Sequence, residues 1–378
     1  MRHRVAVAKT PGFSDRTLPA TNSAPALLSR VADALYWIGR YLERAEHVAR
    51  LLDVHSTMVL DLPDGSAEWR EMVALCRDDA EYPANWPVDA QWVSRFVVHY
   101  PGNGSAILAC LTVARENARA VRGAISSELW EQVNALYRAV RHDVETGAWQ
   151  THSHAFLQSV KQGAHLFHGI ADETMLHDEG GTFIRLGKTL ERGINTIRLL
   201  DTKATRLTLE NGEPDLLRCA SLLKMCSGFE AYRRYYASPI EPARVIEFLL
   251  QNATFPRSAL WCIGRAAEEA RGLVREGAAG RGPDRTLASV RALIEFAPPE
   301  DLAGDRLRGF LETARTRAWE AERALAHTFF LRDERPRVLA RPSFAPQQQQ
   351  QQQQSPALTG LLQTPTSPSI RRSRPAVR

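Results

Sequence analysis

The sequence predicts an all-α chain: a single multi-helix bundle with an internal repeat, set between two disordered tails. Three observations carry that expectation. Apolar residues recur at three- and four-residue spacing through most of 27–332, in runs rich in Ala, Leu, Arg and Glu that favour helix. Strict alternation of apolar and polar residues, the mark of a half-buried strand, is scarce. A 17-residue segment also returns 148 residues later with its polar positions kept.

Taken in order, the spacing predicts helices near 29–61, 104–123, 127–147, 152–176, 181–204, 214–236, 257–275, 285–295 and 300–331. Ser29 stands where an N-cap is wanted, and Pro256 where a first helical turn tolerates proline. Tyr82 to Pro87, with Pro83 and Asn85, and Pro101-Gly102-Asn103-Gly104 read as loops. Gly280 to Pro283 sets the last two helices apart without a linker long enough to demand a second domain. Residues 1–26 have no hydrophobic period and read as a disordered extension. Residues 333–378 contain the glutamine run Gln347 to Gln354 and several arginines, and read as a disordered tail. Such compositions bury too little apolar surface to offset the entropy of ordering.

Charge and cysteine usage exclude several classes of function. The net charge of +5 invites a nucleic-acid reading, but residues 1–26 and 331–378 carry +3 and +6, which leaves −4 for 27–330. A mildly acidic body lacks the phosphate-neutralising term that dominates nucleic-acid affinity, so any such contact falls to the tails. Cys76, Cys110, Cys219, Cys226 and Cys262 form no C-x-x-C pair and no disulfide or zinc framework. No apolar leader core follows the basic start, and no run of 18 apolar residues occurs, so the expected location is the cytoplasm.

The repeat pairs Trp37–Asp53 with Arg185–Asp201, and eight of the seventeen positions are identical. On a helix, Ile38, Tyr41, Leu42, Ala45, Val48 and Leu52 form an apolar arc, echoed by Leu186, Leu190, Ile197 and Leu200. Opposite lies a stripe of Gly39, Glu43, His47 and Arg50, matched by Gly187, Glu191, Asn195 and Arg198, with Arg44 and Arg192 at its edge. A helical glycine costs ~1 kcal/mol relative to alanine, so one placed a turn before the glutamate in both copies points to close approach of another element. Three arrangements satisfy this pattern. The stripes are solvated faces held by local pairs such as Glu46 with Arg50. Alternatively, they face each other as a buried network that fixes helix register, or they line a ligand or catalytic groove around Glu43 and Glu191.

These same residues carry a family resemblance. The stretch Leu28 to Asp53, centred on Trp37-Ile-Gly-Arg-Tyr-Leu-Glu-Arg44, resembles the opening of the alpha-E family of bacterial helical domains, named for its Glu-Arg motif. Further stretches follow in the family's order: Ala114-Arg-Glu-Asn-Ala-Arg-Ala-Val-Arg122 into Ile125-Ser-Ser-Glu-Leu-Trp130, then Asp178-Glu-Gly180 before Leu186-Gly-Lys-Thr-Leu-Glu-Arg192. Last come Gly228-Phe-Glu-Ala-Tyr-Arg-Arg234 and Phe255-Pro-Arg-Ser258. The chain departs from the pattern at Gly181, where an aromatic residue is usual, and at Gly193-Ile194-Asn195, where alanine and an acidic residue are usual. The resemblance implies a helical domain whose relatives accompany a circularly permuted ATP-grasp type ligase and a transglutaminase-like protein in systems that make or process amide bonds. It implies an accessory role beside that ligase. The alternative is an enzyme of the same pathway with Glu43 and Glu191 as acid and base.

Other constellations weigh less. His152, His154, His165, His168 and His177 fall within 26 residues, but their spacing lacks the Glu-x-x-His pattern of a bundle metal site, so neither metal nor cofactor is expected. Arg115, Arg119 and Arg122, with Asn117 beside them, form a stripe that either binds an anion or is neutralised within the bundle. No P-loop, Rossmann glycine signature or Ser/His/Asp arrangement is present.

Overall fold

The computed structural model describes residues 27–62, 66–76, 80–209, 211–274 and 282–330, so both expected tails lie outside the described residues. The first half of the chain forms α1 (Ser29–Val59), α2 (Ser66–Cys76), α3 (Ala90–His99), α4 (Ile107–Ala120), α5 (Ser127–Thr146), α6 (Ala148–Thr151) and α7 (Ser153–Thr174). The second half forms α8 (Glu179–Lys203), α9 (Leu216–Met225), α10 (Phe229–Tyr236) and α11 (Pro242–Gln251). It ends with α12 (Ala259–Leu273), α13 (Pro283–Glu295) and α14 (Gly304–Phe329). Among the described residues there is no strand, only an isolated bridge between Thr208 and Pro214.

Packing extends the repeat from seventeen residues to the architecture. In the first half α1 packs on α4, α4 on α5, α5 on α7, and α7 returns to α1. In the second half α8 packs on α12, α12 on α13, α13 on α14, and α14 returns to α8. Each half is thus a four-helix unit, with short helices inserted between its first and second members and, in the first unit, α6 between α5 and α7. The two units join along α1 and α8, the most extensive helix contact in the molecule.

Local chemistry sets the helix ends. Asp89, Ser126, Asp215 and Ser258 cap α3, α5, α9 and α12 by accepting from backbone N–H groups inside the first turn. Asp178 caps α8 through the N–H groups of Gly180 and Gly181, at 2.9 and 3.2 Å. Two expected starts are corrected. Ser29 lies inside α1, whose N-cap is Leu28 with no side-chain bond, and Pro256 precedes α12 in the turn that Ser258 closes. The expected helix 214–236 is two helices. Ser227 has a left-handed φ of 52°, and Gly228 donates back to the Leu223 carbonyl at 2.7 Å, which ends α9 before α10 begins. The sequence pattern also passed over α2, α3, α6 and α11.

Candidate functional site

The crossing of α1 and α8 is built on the repeated glycines. A Cβ on Gly39 would stand 2.2 Å from the Ile184 carbonyl oxygen, and one on Gly187 would stand 2.1 Å from that of Tyr36. Tyr36 and Ile184 are themselves equivalent at the 148-residue offset, so the contact is reciprocal about a local pseudo-twofold. Only hydrogen at both positions lets the backbones meet.

One turn further on, this approach brings each motif glutamate to the other helix's motif arginine. Arg192 donates from Nε and Nη2 to the two oxygens of Glu43, each at 2.7 Å. Arg44 donates to the two oxygens of Glu191 at 2.7 and 3.2 Å. Both carboxylates are 1% exposed. Each has a second guanidinium: Arg257 reaches Glu43 at 3.2 Å, and Arg40 bonds Glu191 while also donating to Tyr36 Oη at 2.6 Å and Glu322 at 2.7 Å. Arg257 also reaches Glu46 at 3.2 Å, and Glu46 pairs with Arg50. The register-fixing arrangement is therefore the one observed. The helical wheel gave α1 one buried face, whereas α1 is enclosed through its middle by α8, α4, α7 and α9.

Electrostatics follow the pairing. Burial alone would raise Glu191, but Arg40 and Arg44 overcome it and bring the carboxyl down to about 2. Glu43 is held well below the usual carboxylate range, with Arg192 and Arg257 overriding its burial. Burial, aided by Arg257, pushes His47 down to about 4 and the Arg50 guanidinium down to about 9. His168, buried 3.9 Å from Glu43, is likewise pushed well below its ordinary value by burial and Lys188. The network therefore holds ionised glutamates beside neutral histidines at neutral pH.

The sequence-predicted residues divide. Gly39, Glu43, Arg44, His47, Arg50, Gly187, Glu191, Arg192 and Asn195 meet at this crossing, Asn195 donating to Glu191 at 3.4 Å. Arg198 donates to the Leu75 carbonyl at 3.2 Å, and its charge acts on His47. Arg115, Arg119 and Arg122 lie on and just beyond α4. Arg115 donates to Asn134 and Glu116, Arg119 pairs with Glu116, and Arg115 and Arg122 lie over the Trp130 ring. Among the described residues no hydrogen bond or ion pair joins them to Glu43 or Glu191; Arg115 and Arg119 share the one carboxylate of Glu116. Asn117, beside them, has its amide nitrogen buried without a hydrogen-bond partner. The histidine group also disperses. His154 bonds Asp53 at 2.7 Å, His165 and His168 border the network, and His152 and His177 are exposed. At Gly193 a Cβ would stand 3.0 Å from that of Cys262, so this departure from the family pattern seats α12 against α8 while Glu191 and Arg192 stay fully paired.

Arg40, Arg257 and Glu322 complete the network without having been singled out in the sequence, and Glu46, expected there only as a local partner of Arg50, also takes Arg257. Arg257 is placed by a loop in which Asn252 Oδ1 accepts from the N–H groups of Thr254 and Phe255, while Thr196 donates to the Arg257 carbonyl at 2.9 Å. Phe255-Pro-Arg-Ser258 is one of the stretches carrying the resemblance, and that was its available signal.

Fold and site together define an all-helical domain organised by a reciprocal pair of Glu-Arg motifs. The family model described as a predicted alpha-helical domain with a conserved ER motif, Alpha-E, matches residues 27–330, and the chain belongs to that family. Similar proteins include an uncharacterized protein of Mycobacterium bovis and uncharacterized proteins from two strains of Mycobacterium tuberculosis. Each is 28% identical over 309 residues, covering 75% of this chain and 34% of the relative. The chain thus spans about a third of the length of the curated relatives it matches. No solved structure matches it.

Proposed function

We propose that the chain is a non-catalytic helical subunit that acts beside an amide-forming ligase of the circularly permuted ATP-grasp type, in a set that includes a transglutaminase-like protein. One observation carries the non-catalytic part: Glu43 and Glu191 are enclosed and each is held by two guanidiniums. A general acid or base must exchange protons with substrate near working pH, and carboxylates locked in the ionised form away from water are poorly suited to that task. No observation favours the acid/base alternative. The ligase part rests on the family resemblance.

The test is co-purification of the tagged full chain from its host under gentle conditions, followed by ATP hydrolysis by any recovered ligase with and without the chain. Recovery of an ATP-grasp ligase near one-to-one, with altered turnover, is expected. A chain that emerges alone and leaves the ligase's turnover unchanged contradicts the proposal. A Glu43→Gln variant that loses system activity at unchanged thermal stability would instead revive the acid/base reading.

A further inference from the structure

Away from the Glu/Arg network, α3, α6 and the start of α7 line an open cleft of 450 Å³ against the C-terminal half of α1. Its floor is apolar and buried, formed by Leu52, Val98, Phe156 and Leu157, with the Trp149 indole as one wall. Its rim is neutral and polar, with Ser56, Gln91, Ser94, Gln150 and Ser153. A second cavity of 370 Å³ shares Gln91, Trp149 and Gln150 with the first and adds Arg95, His99 and Glu145. These volumes lie within the range of small-molecule sites, and an apolar floor with a few polar groups at its edge is the usual composition of such a site.

The charges indicate what kind of molecule fits. The Arg95 guanidinium lies over the Trp86 and Trp92 rings at 5.3 and 5.6 Å, and no carboxylate of the described residues pairs with it. The Glu145 carboxylate is taken by Arg141 at 2.7 Å. Burial and Arg95 push His99 below its ordinary value, so it adds no second positive charge at neutral pH. The larger cavity therefore offers apolar surface and neutral hydrogen-bonding groups, and the smaller one offers a single cation stacked on two indoles.

We infer that the two cavities form one binding site for a small amphipathic carboxylate: a hydrophobic amino-acid residue acylated on nitrogen and carrying a free carboxylate. The side chain lies over Leu52, Phe156 and Leu157, the acyl amide meets the glutamine and serine rim, and the carboxylate pairs with Arg95. The Trp149 indole, shared by both cavities, contacts the body of the ligand and supplies an intrinsic reporter.

The test uses the full chain with N-acetyl-L-phenylalanine and its carboxamide, followed by calorimetry and tryptophan fluorescence. The acid is expected to bind with a Kd of the order of 1 mM, as its size permits, and the carboxamide roughly tenfold more weakly, having lost the charge-assisted bond. Arg95→Gln, at an exposed position, should erase that difference. Ser94→Trp, which fills the cavity from its half-buried rim, should abolish binding of both, with thermal melting as the check on folding. The inference is overturned if the parent binds neither compound, if it binds both equally, or if Arg95→Gln keeps the preference for the acid. Binding retained by a folded Ser94→Trp variant overturns it as well.

Discussion

Gly187→Ala is the substitution whose sign separates a buried helix crossing from an exposed helix face. On an exposed face the change from glycine to alanine stabilises a helix by ~1 kcal/mol. At this crossing the added methyl would stand 2.1 Å from the Tyr36 carbonyl oxygen, 3.1 Å from the Tyr36 carbonyl carbon and 3.2 Å from the Arg40 nitrogen. All three are backbone atoms of α1, so no rotamer change relieves the contact, and the helices must part by about 1 Å to restore ordinary separations. Overpacking of this kind costs roughly 1–3 kcal/mol. Parting the helices also stretches the Glu43–Arg192 and Glu191–Arg44 pairs, whose outright rupture in a buried setting costs about 3–5 kcal/mol. With the ~1 kcal/mol propensity gain set against these terms, the net loss is roughly 3 kcal/mol, or a fall in Tm of about 5 °C for a domain of this size. Calorimetric melting and urea unfolding at pH 7.5 measure it, and Gly39→Ala should behave alike because its Cβ would meet the Ile184 oxygen at 2.2 Å. A Tm equal to or above the parent's for either variant would refute the reasoning.

Stability should also fall on mild acidification. His47 is held at about 4 in the folded state against an ordinary 6.5, so its neutral form favours folding fully above pH 6.5, and the contribution is lost as pH falls toward 4. That loss amounts to about 3 kcal/mol at most. Glu191, with its carboxyl at about 2, adds a further loss only below its unfolded value of about 4.3. Urea midpoints that stay level between pH 7 and pH 4.5 would count against the neutral buried histidine. Thiol reactivity gives a separate check. All five cysteines are buried, and burial pushes Cys76 and Cys262 up to about 12 and Cys219 and Cys226 up to about 11. A disulfide reagent at pH 8 should therefore react with essentially none in the native protein and with all five in guanidinium; a rapid native thiol would contradict the packing.

Long helices were legible because their apolar period is sustained. α5, α7, α8 and α14 stand within a few residues of the expected spans. The missed helices are short: α2, α3, α6 and α11 have 11, 10, 4 and 10 residues, too few turns for a period to stand out from a loop. Pro242 at the start of α11 and Asp89 before α3 were the usable signals. The break at Ser227 had a usable mark in the Ser227-Gly228 pair, a turn dipeptide, and the Gly228–Leu223 bond closes it. At the site the repeat identified the right helices and glutamates. A helical wheel, however, records which residues share a face and not what covers that face. The two glycines were the only local sign of a covering backbone. The second guanidinium on Glu43 comes from Arg257, 214 positions away, and no local pattern could supply it.

The central claim is that Glu43 and Arg192 are energetically coupled across the α1–α8 crossing, and a double-mutant cycle with Glu43→Gln, Arg192→Met and the pair measures this directly. The account predicts a coupling energy above about 2 kcal/mol, with the double variant more stable than the sum of the single losses implies. A coupling below about 0.5 kcal/mol, the value of an exposed surface pair, would contradict it.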